Sequence, residues 1–320
     1  MDVKSSKMDI AGYQRLKLDA RSFTRAMNSI GKSKQWQQSL HLFHLMTQMV
    51  TPDLISYSVA ISSCERGQQW QWALRLFQEM LLQSLLPDVI ICSAAISSCE
   101  KGLQWEVALS LFNSLEHRKV KPDLIIYSAA ISACEKGLQW GLALDIFSSM
   151  LHSGLLPDTI TYNAVISSCE KGLQWQAAIL VFSRMFEQSI APNVVTYNAV
   201  ISSLEKCFMW QLAMDIFMRM SVQQVEQDVI SYNSLISCCE KGSQWQIGLH
   251  YFDNMQLDLI RPDLVSYNAL VSACEKDSHW ESWHRTVGYR MLLPHFLNIF
   301  PLKTHFFWGT PKKRNRIGSP

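Results

Sequence analysis

Nine cysteines are the residues in this 320-residue chain best able to do chemistry, since thiols ligate metals and cross-link chains. Six of them, Cys64, Cys99, Cys134, Cys169, Cys239 and Cys274, recur at multiples of one 35-residue spacing, and Leu204 stands where another would fall. Equivalent points on stacked helices lie about 8–10 Å apart, whereas bridged cysteines need Cα atoms within roughly 7 Å. No Cys-x-x-Cys pair occurs. The column is therefore expected to be small core residues in a reducing compartment, not a zinc or disulfide ladder. His41 and His44 share a helix face but have no third ligand placed near them, so they are expected to be exposed helix histidines.

Two more columns share the period. Trp36, Trp70, Trp105, Trp140, Trp175, Trp210, Trp245 and Trp280 could stack on bases, but they belong to an apolar helical stripe, so packing is the expectation. Lys32, Arg66, Lys101, Lys136, Lys171, Lys206, Lys241 and Lys276 supply one cation each. From the second copy onward a glutamate precedes each cation (Glu65, Glu100, Glu135, Glu170, Glu205, Glu240, Glu275). The pattern fits equally a phosphate-binding stripe or an alternating-charge surface with no net field. A net charge of +2 gives no argument for a polyanionic partner at the scale of the whole chain.

These columns need elements that return every 35 residues. The unit Leu124 to Asp158 shows them: Tyr127, Ala130, Ile131 and Cys134 fall at i, i+3, i+4 and i+7, one face of a helix. Lys136-Gly137 then ends it, with the glycine expected in the left-handed conformation. A second helix follows with Trp140, Ala143, Leu144, Phe147 and Met150 on its apolar face, and Gly154 with Pro157 stops it. A two-helix unit of this size cannot bury its own apolar face and does so against its neighbours. The fold expected is an all-α right-handed superhelical solenoid of stacked antiparallel helix pairs, its first helices lining one wall.

Residues 1–19 read as a remnant of a degraded repeat, with three acids and no recognisable transit peptide. The repeat array is expected over residues 20–284, as about seven repeats plus a partial one after Leu264. The first unit, Ala20 to Asp53, has the character of a capping repeat. Residues 285–320 form a non-repeat tail whose basic cluster, Lys312, Lys313, Arg314 and Arg316, is expected to be solvated, the alternative being a weak nucleic-acid contact. No run of apolar residues is long enough to span a bilayer, so no membrane association is expected.

The 35-residue period, the Pro-Asp ending, Val194 to Ile201 (VVTYNAVI) and Ala213 to Met220 (AMDIFMRM) resemble the pentatricopeptide repeat in its plain P-type form. The Glu-Lys-Gly-Leu-Gln-Trp wording between the helices is similar to dinoflagellate members. Tetratricopeptide repeats differ in having 34 residues and a W-x-x-L-G-x-x-Y first helix.

The resemblance implies single-stranded RNA as partner, with one base read by the fifth and last residues of each unit. On this chain those pairs are Thr24 with Asp53, Ser58 with Asp88, Ser93 with Asp123, Ser128 with Asp158, Asn163 with Asn193, Asn198 with Asp228, and Asn233 with Asp263. By the family's rule they spell 5′-GGGG(C/U)UU-3′. The second residue of each unit, Ile55, Ile90, Ile125, Ile160, Val195, Ile230 and Val265, would wedge between bases; from periodicity alone it is equally a core residue. Arg21 replaces it in the first unit. The cation column would then lie near phosphates.

The resemblance further implies a monomer without cofactors, acting by occupying a transcript in organellar RNA processing, stability, editing or translation, in chloroplast or mitochondrion. The H-x-E and C-x-x-C elements of the deaminase extension are absent from residues 285–320, so no enzyme activity is expected and chemistry would fall to protein processing factors. The rival function is a tetratricopeptide-like scaffold for protein partners.

Overall fold

The computed structural model describes residues 20–276. The N-terminal segment, the end of the array after residue 276 and the basic tail lie outside the described residues. Fifteen α-helices follow one another, and no strand occurs among the described residues. Eight first helices (Ala20–Lys32, Leu54–Arg66, Val89–Lys101, Leu124–Lys136, Thr159–Lys171, Val194–Lys206, Val229–Lys241, Leu264–Lys276) alternate with seven second helices (Trp36–Met49, Trp70–Leu82, Trp105–His117, Trp140–His152, Trp175–Glu187, Trp210–Val222, Trp245–Leu257).

Most of the apolar series expected from spacing is buried: Tyr127, Ala130, Ile131 and Cys134 on a first helix, Ala143, Phe147 and Met150 on a second, with Leu144 half-buried and Trp140 37% exposed. Each of the large apolar side chains buried among them, such as Ile131, Phe147 and Met150, contributes roughly 1.5–3 kcal/mol, and the contribution repeats with every unit. Between units the phenylalanine of a second helix meets the next unit's tyrosine edge-to-face. Ring centroids lie 5.1 Å apart for Phe43–Tyr57, 5.2 Å for Phe147–Tyr162 and 4.9 Å for Phe217–Tyr232. One junction departs from this. Cys92 stands where the tyrosine would be, and the Arg118 guanidinium instead lies 5.6 Å from the Phe77 ring centre.

Each first helix packs on the next first helix, and each second helix packs on its own partner and on the following first helix. Second helices make no comparable contact with one another. Such a stack is closed along the first helices and splayed along the second, so the first helices form its continuous wall. The chain is an all-α solenoid.

The turn between paired helices corrects one expectation. Gly137 is not left-handed; its φ is −82°, and the left-handed residue is the following Leu138 at φ 58°. Gln68, Leu103, Leu173 and Ser243 repeat this after Gly67, Gly102, Gly172 and Gly242. What demands glycine is a close approach: a Cβ on Gly137 would lie 2.4 Å from the Trp105 ring, and one on Gly102 2.2 Å from that of Trp70. Trp36, Trp70, Trp105, Trp140 and Trp210 thus pack, as expected, but against the turn of the next unit and partly exposed rather than deep in the core; Trp280 lies outside the described residues.

Candidate nucleic-acid interface

The last residue of each unit is the N-cap of the next first helix, because an Asx side chain can accept the helix's unpaired N–H groups. Asp53 Oδ1 accepts from Ser56 N at 2.9 Å, Asp88 from Ile91 N at 2.8 Å, and Asp123 from Ile126 N at 2.9 Å. Asp158, Asn193, Asp228 and Asp263 repeat it with Thr161, Thr196, Ser231 and Ser266. Capping uses one oxygen per side chain, so the second carboxylate oxygen, or the amide nitrogen of Asn193, is left for other partners.

The structure brings the expected fifth and last residues together most tightly in the last three pairs. Asn198 Nδ2 donates to Asp228 Oδ1 at 3.0 Å, Asn233 Nδ2 to Asp263 Oδ1 at 3.0 Å, and Asn163 Nδ2 to Asn193 Oδ1 at 3.3 Å. Ser58, Ser93 and Ser128 are half-buried on the same helix face but form no direct bond to Asp88, Asp123 or Asp158. Thr24 turns its hydroxyl to Ala20 O at 2.7 Å and lies 3.2 Å from Ser56 Oγ, not against Asp53.

Burial alone would raise the Asp228 and Asp263 carboxyls, but the hydrogen bonds outweigh it. Donation from the backbone N–H groups of Ser231 and Ser266 and from the amides of Asn198 and Asn233 holds both below the ordinary aspartate range. Both are anionic acceptors at neutral pH.

The second-residue column settles one alternative left open by periodicity. Ile55, Ile90, Ile125, Ile160, Val195, Ile230 and Val265 are 54 to 68% exposed, so none is a core residue. Each sits three residues before the fifth position of its helix, hence on the same face. The result is a regular row of aliphatic side chains in solvent, each beside a polar pair.

The cation column is placed differently from a free phosphate-binding stripe. Lys101 pairs with Glu65 at 2.7 Å, Lys171 with Glu135 at 3.0 Å, Lys206 with Glu170 at 2.9 Å and Lys241 with Glu205 at 3.1 Å, and Lys136 pairs with Glu100. Every one of these pairs joins a lysine to the glutamate of the preceding repeat. Burial raises the Glu205 carboxyl despite Lys241 and Lys206 beside it. Arg66 has Gly31 where that glutamate would be, and neither it nor Lys32 forms an ion pair among the described residues. The side chain of Lys276 lies outside the described residues.

Sequence profiles decide the family. The PPR repeat family matches residues 157–206 and 192–241, the pentatricopeptide repeat domain matches 75–137, and the PPR repeat matches 55–84, 125–155 and 230–258. Together they cover well over half of the chain. It belongs to the pentatricopeptide repeat family. No curated protein sequence matches it.

Solved pentatricopeptide repeat structures share its fold. Maize PPR10 superposes with a TM-score of 0.58 at 22% identity over 84% of this chain and 40% of the maize chain. The chain therefore spans less than half the length of that relative. The PPR domain of Arabidopsis thaliana protein-only RNase P 1, solved with tRNA, gives 0.51 at 13% identity over 62% of this chain and 98% of that one. A. thaliana nuclear proteinaceous RNase P 2 gives 0.53 at 12% identity, covering 58% and 42%.

Sequence reasoning missed a further set of residues in this pentatricopeptide repeat array, the buried hydroxyls at the third position of the last three described units. Thr196, Ser231 and Ser266 bond to the amide oxygens of Asn163, Asn198 and Asn233 in the preceding unit. Their position inside the apolar start of a helix hid them. Ser202 and Ser272 likewise reach Glu170 at 2.7 Å and Glu240 at 2.8 Å.

Proposed function

We propose that this chain binds single-stranded RNA sequence-selectively, one base per repeat, and acts by occupying the transcript. The row of seven exposed aliphatic residues carries the reading. Exposed apolar surface repeated at a fixed interval calls for a repeating, flat, apolar-faced ligand, and stacked bases have that form. Beside each aliphatic residue stands a polar pair able to match a base edge. The repeat array of residues 20–284 would read 5′-GGGG(C/U)UU-3′ through the seven pairs, with Ile55 to Val265 between the bases. Lys32 and Arg66, unpaired with carboxylates, are the cations best placed for phosphate; the five paired lysines would have to leave glutamates to make the same contact.

The proposed setting is organellar RNA processing, stability, editing or translation, in chloroplast or mitochondrion, with the chain as a non-catalytic monomer and any bond cleavage supplied by protein processing factors. Family membership supports this setting.

The closed ion-pair ladder favours one rival, a scaffold for protein partners, since a groove without net cationic field attracts polyanions weakly. Fluorescence anisotropy with labelled 5′-GGGGCUU-3′ and a scrambled RNA of equal composition separates the two. The RNA reading expects at least about tenfold tighter binding of the ordered sequence, the worth of a single matched base edge. Equal binding of both, or of neither, would sink it.

A further inference from the structure

In three consecutive repeats the amide set to face a base is held by a side chain from the next repeat. Thr196 Oγ1 lies 2.6 Å from Asn163 Oδ1, Ser231 Oγ 2.6 Å from Asn198 Oδ1, and Ser266 Oγ 2.5 Å from Asn233 Oδ1. All three third-position residues are fully buried. Each oxygen also accepts from the backbone N–H of its own cap residue, at 3.1 Å from Asn193, 3.3 Å from Asp228 and 3.1 Å from Asp263.

A hydroxyl has one proton to give. The competing acceptor, the cap's Oδ1, is farther away, at 3.0 Å for Thr196, 2.8 Å for Ser231 and 3.0 Å for Ser266. The proton therefore goes to the amide oxygen, where the hydrogen bond is shortest. That oxygen then points into the repeat junction, and the amide nitrogen points at the cap.

Counting donors for Asn198 shows the consequence. Its oxygen takes the Ser231 proton, and one N–H goes to Asp228 Oδ1. One N–H remains, beside the second oxygen of Asp228. With the donor over position 4 of the base and the acceptor over N3, this pair matches the O4 carbonyl and N3–H of uracil, whereas cytosine presents its amino group and N3 in the reverse order. A turned-over amide would present an acceptor instead.

We propose that the third-position hydroxyls Thr196, Ser231 and Ser266 are positioning residues for base selection, each fixing which edge of the preceding repeat's asparagine is offered to the base. This rests on the RNA reading above. The other repeats agree with it. Ile91 and Ile126 fill the third position after units whose fifth residue is Ser58 or Ser93, and a serine has no amide to turn over. Thr161, which follows the unit of Ser128, gives its hydroxyl to its own cap Asp158 at 2.7 Å.

The test measures affinity for RNAs carrying U, C, A or G at the sixth site, with wild type, Ser231→Ala, Ser231→Thr and Ser231→Ile. The isoleucine variant copies a side chain that the fold already holds at this position in two repeats. Loss of one hydrogen bond should cut the U-over-C ratio at the sixth site about threefold to tenfold in the alanine and isoleucine variants. The threonine variant should keep it, and base ratios at the second to fourth sites should not move. An alanine variant with the wild-type ratio, or one weakened equally for every base and site, would show Ser231 to be a helix cap only and overturn the proposal while leaving RNA reading intact. A wild-type protein with no preference at the sixth site would overturn both.

Discussion

At the scale of single residues, chemistry here is mostly chemistry suppressed. Burial pushes the Cys64, Cys99 and Cys238 thiols up to about 12, and those of Cys134, Cys169 and Cys239 up to about 11. Cys207 alone among the described cysteines is half-exposed. Brief iodoacetamide treatment of the folded protein at pH 8 should therefore alkylate Cys207 well before these six, as peptide mass mapping would show; equal labelling would contradict the buried column. The aspartates work in the opposite sense. A carboxyl depressed in the folded state adds stability above its ordinary value near 4, and that contribution is lost as pH falls through the depressed one. Asp228 and Asp263 should accordingly remain charged acceptors down to about pH 4, so the preference for U at the sixth and seventh sites should be flat from pH 7 to about pH 4.5. A preference that fades near pH 6 would place the readout elsewhere.

At the scale of elements, the ion-pair ladder and the turn each make a prediction. Glu100→Gln, Glu135→Gln and Glu170→Gln together release Lys136, Lys171 and Lys206, and should strengthen RNA binding and steepen its salt dependence. Exposed pairs of this kind are worth about 1 kcal/mol or less to stability, so the melting temperature should change little. An unchanged salt slope would mean that these lysines do not face the nucleic acid. In the turn, Gly137→Ala should destabilise by about 1–3 kcal/mol, because its Cβ collides with Trp105. Leu138→Gly should relieve a left-handed leucine and lie within about 1 kcal/mol of wild type, or above it, in chemical denaturation.

The turn also marks where sequence stopped being legible. Helix faces, unit boundaries and the buried cysteine column follow from 3.6-residue periodicity, a local property. The need for Gly137 comes from Trp105, 32 positions earlier, and the pairing of Lys136 with Glu100, rather than with Glu135 beside it, comes from stacking. Neither is written in local spacing. The same holds for Ile125, whose period fits a core residue and whose exposure only the stacked first helices decide.

At the scale of the whole molecule, a solenoid is a sum of units and nearest-neighbour junctions. Deleting Leu124 to Asp158 as one block joins Asp123 to Thr159 and keeps a cap, an aromatic pair and a tryptophan contact at the new junction. The shortened protein should remain helical by circular dichroism and prefer an RNA with one G fewer. The most direct test of base-by-base reading is narrower: affinity of wild type and Asn198→Ser for two RNAs that differ only in U or G at the sixth site. The substitution gives that repeat the serine and aspartate pair of three earlier units, so preference should pass from U to G, with the ratio of affinities changing by about tenfold or more. A variant that still prefers U, or a wild type indifferent to the exchange, would contradict the account.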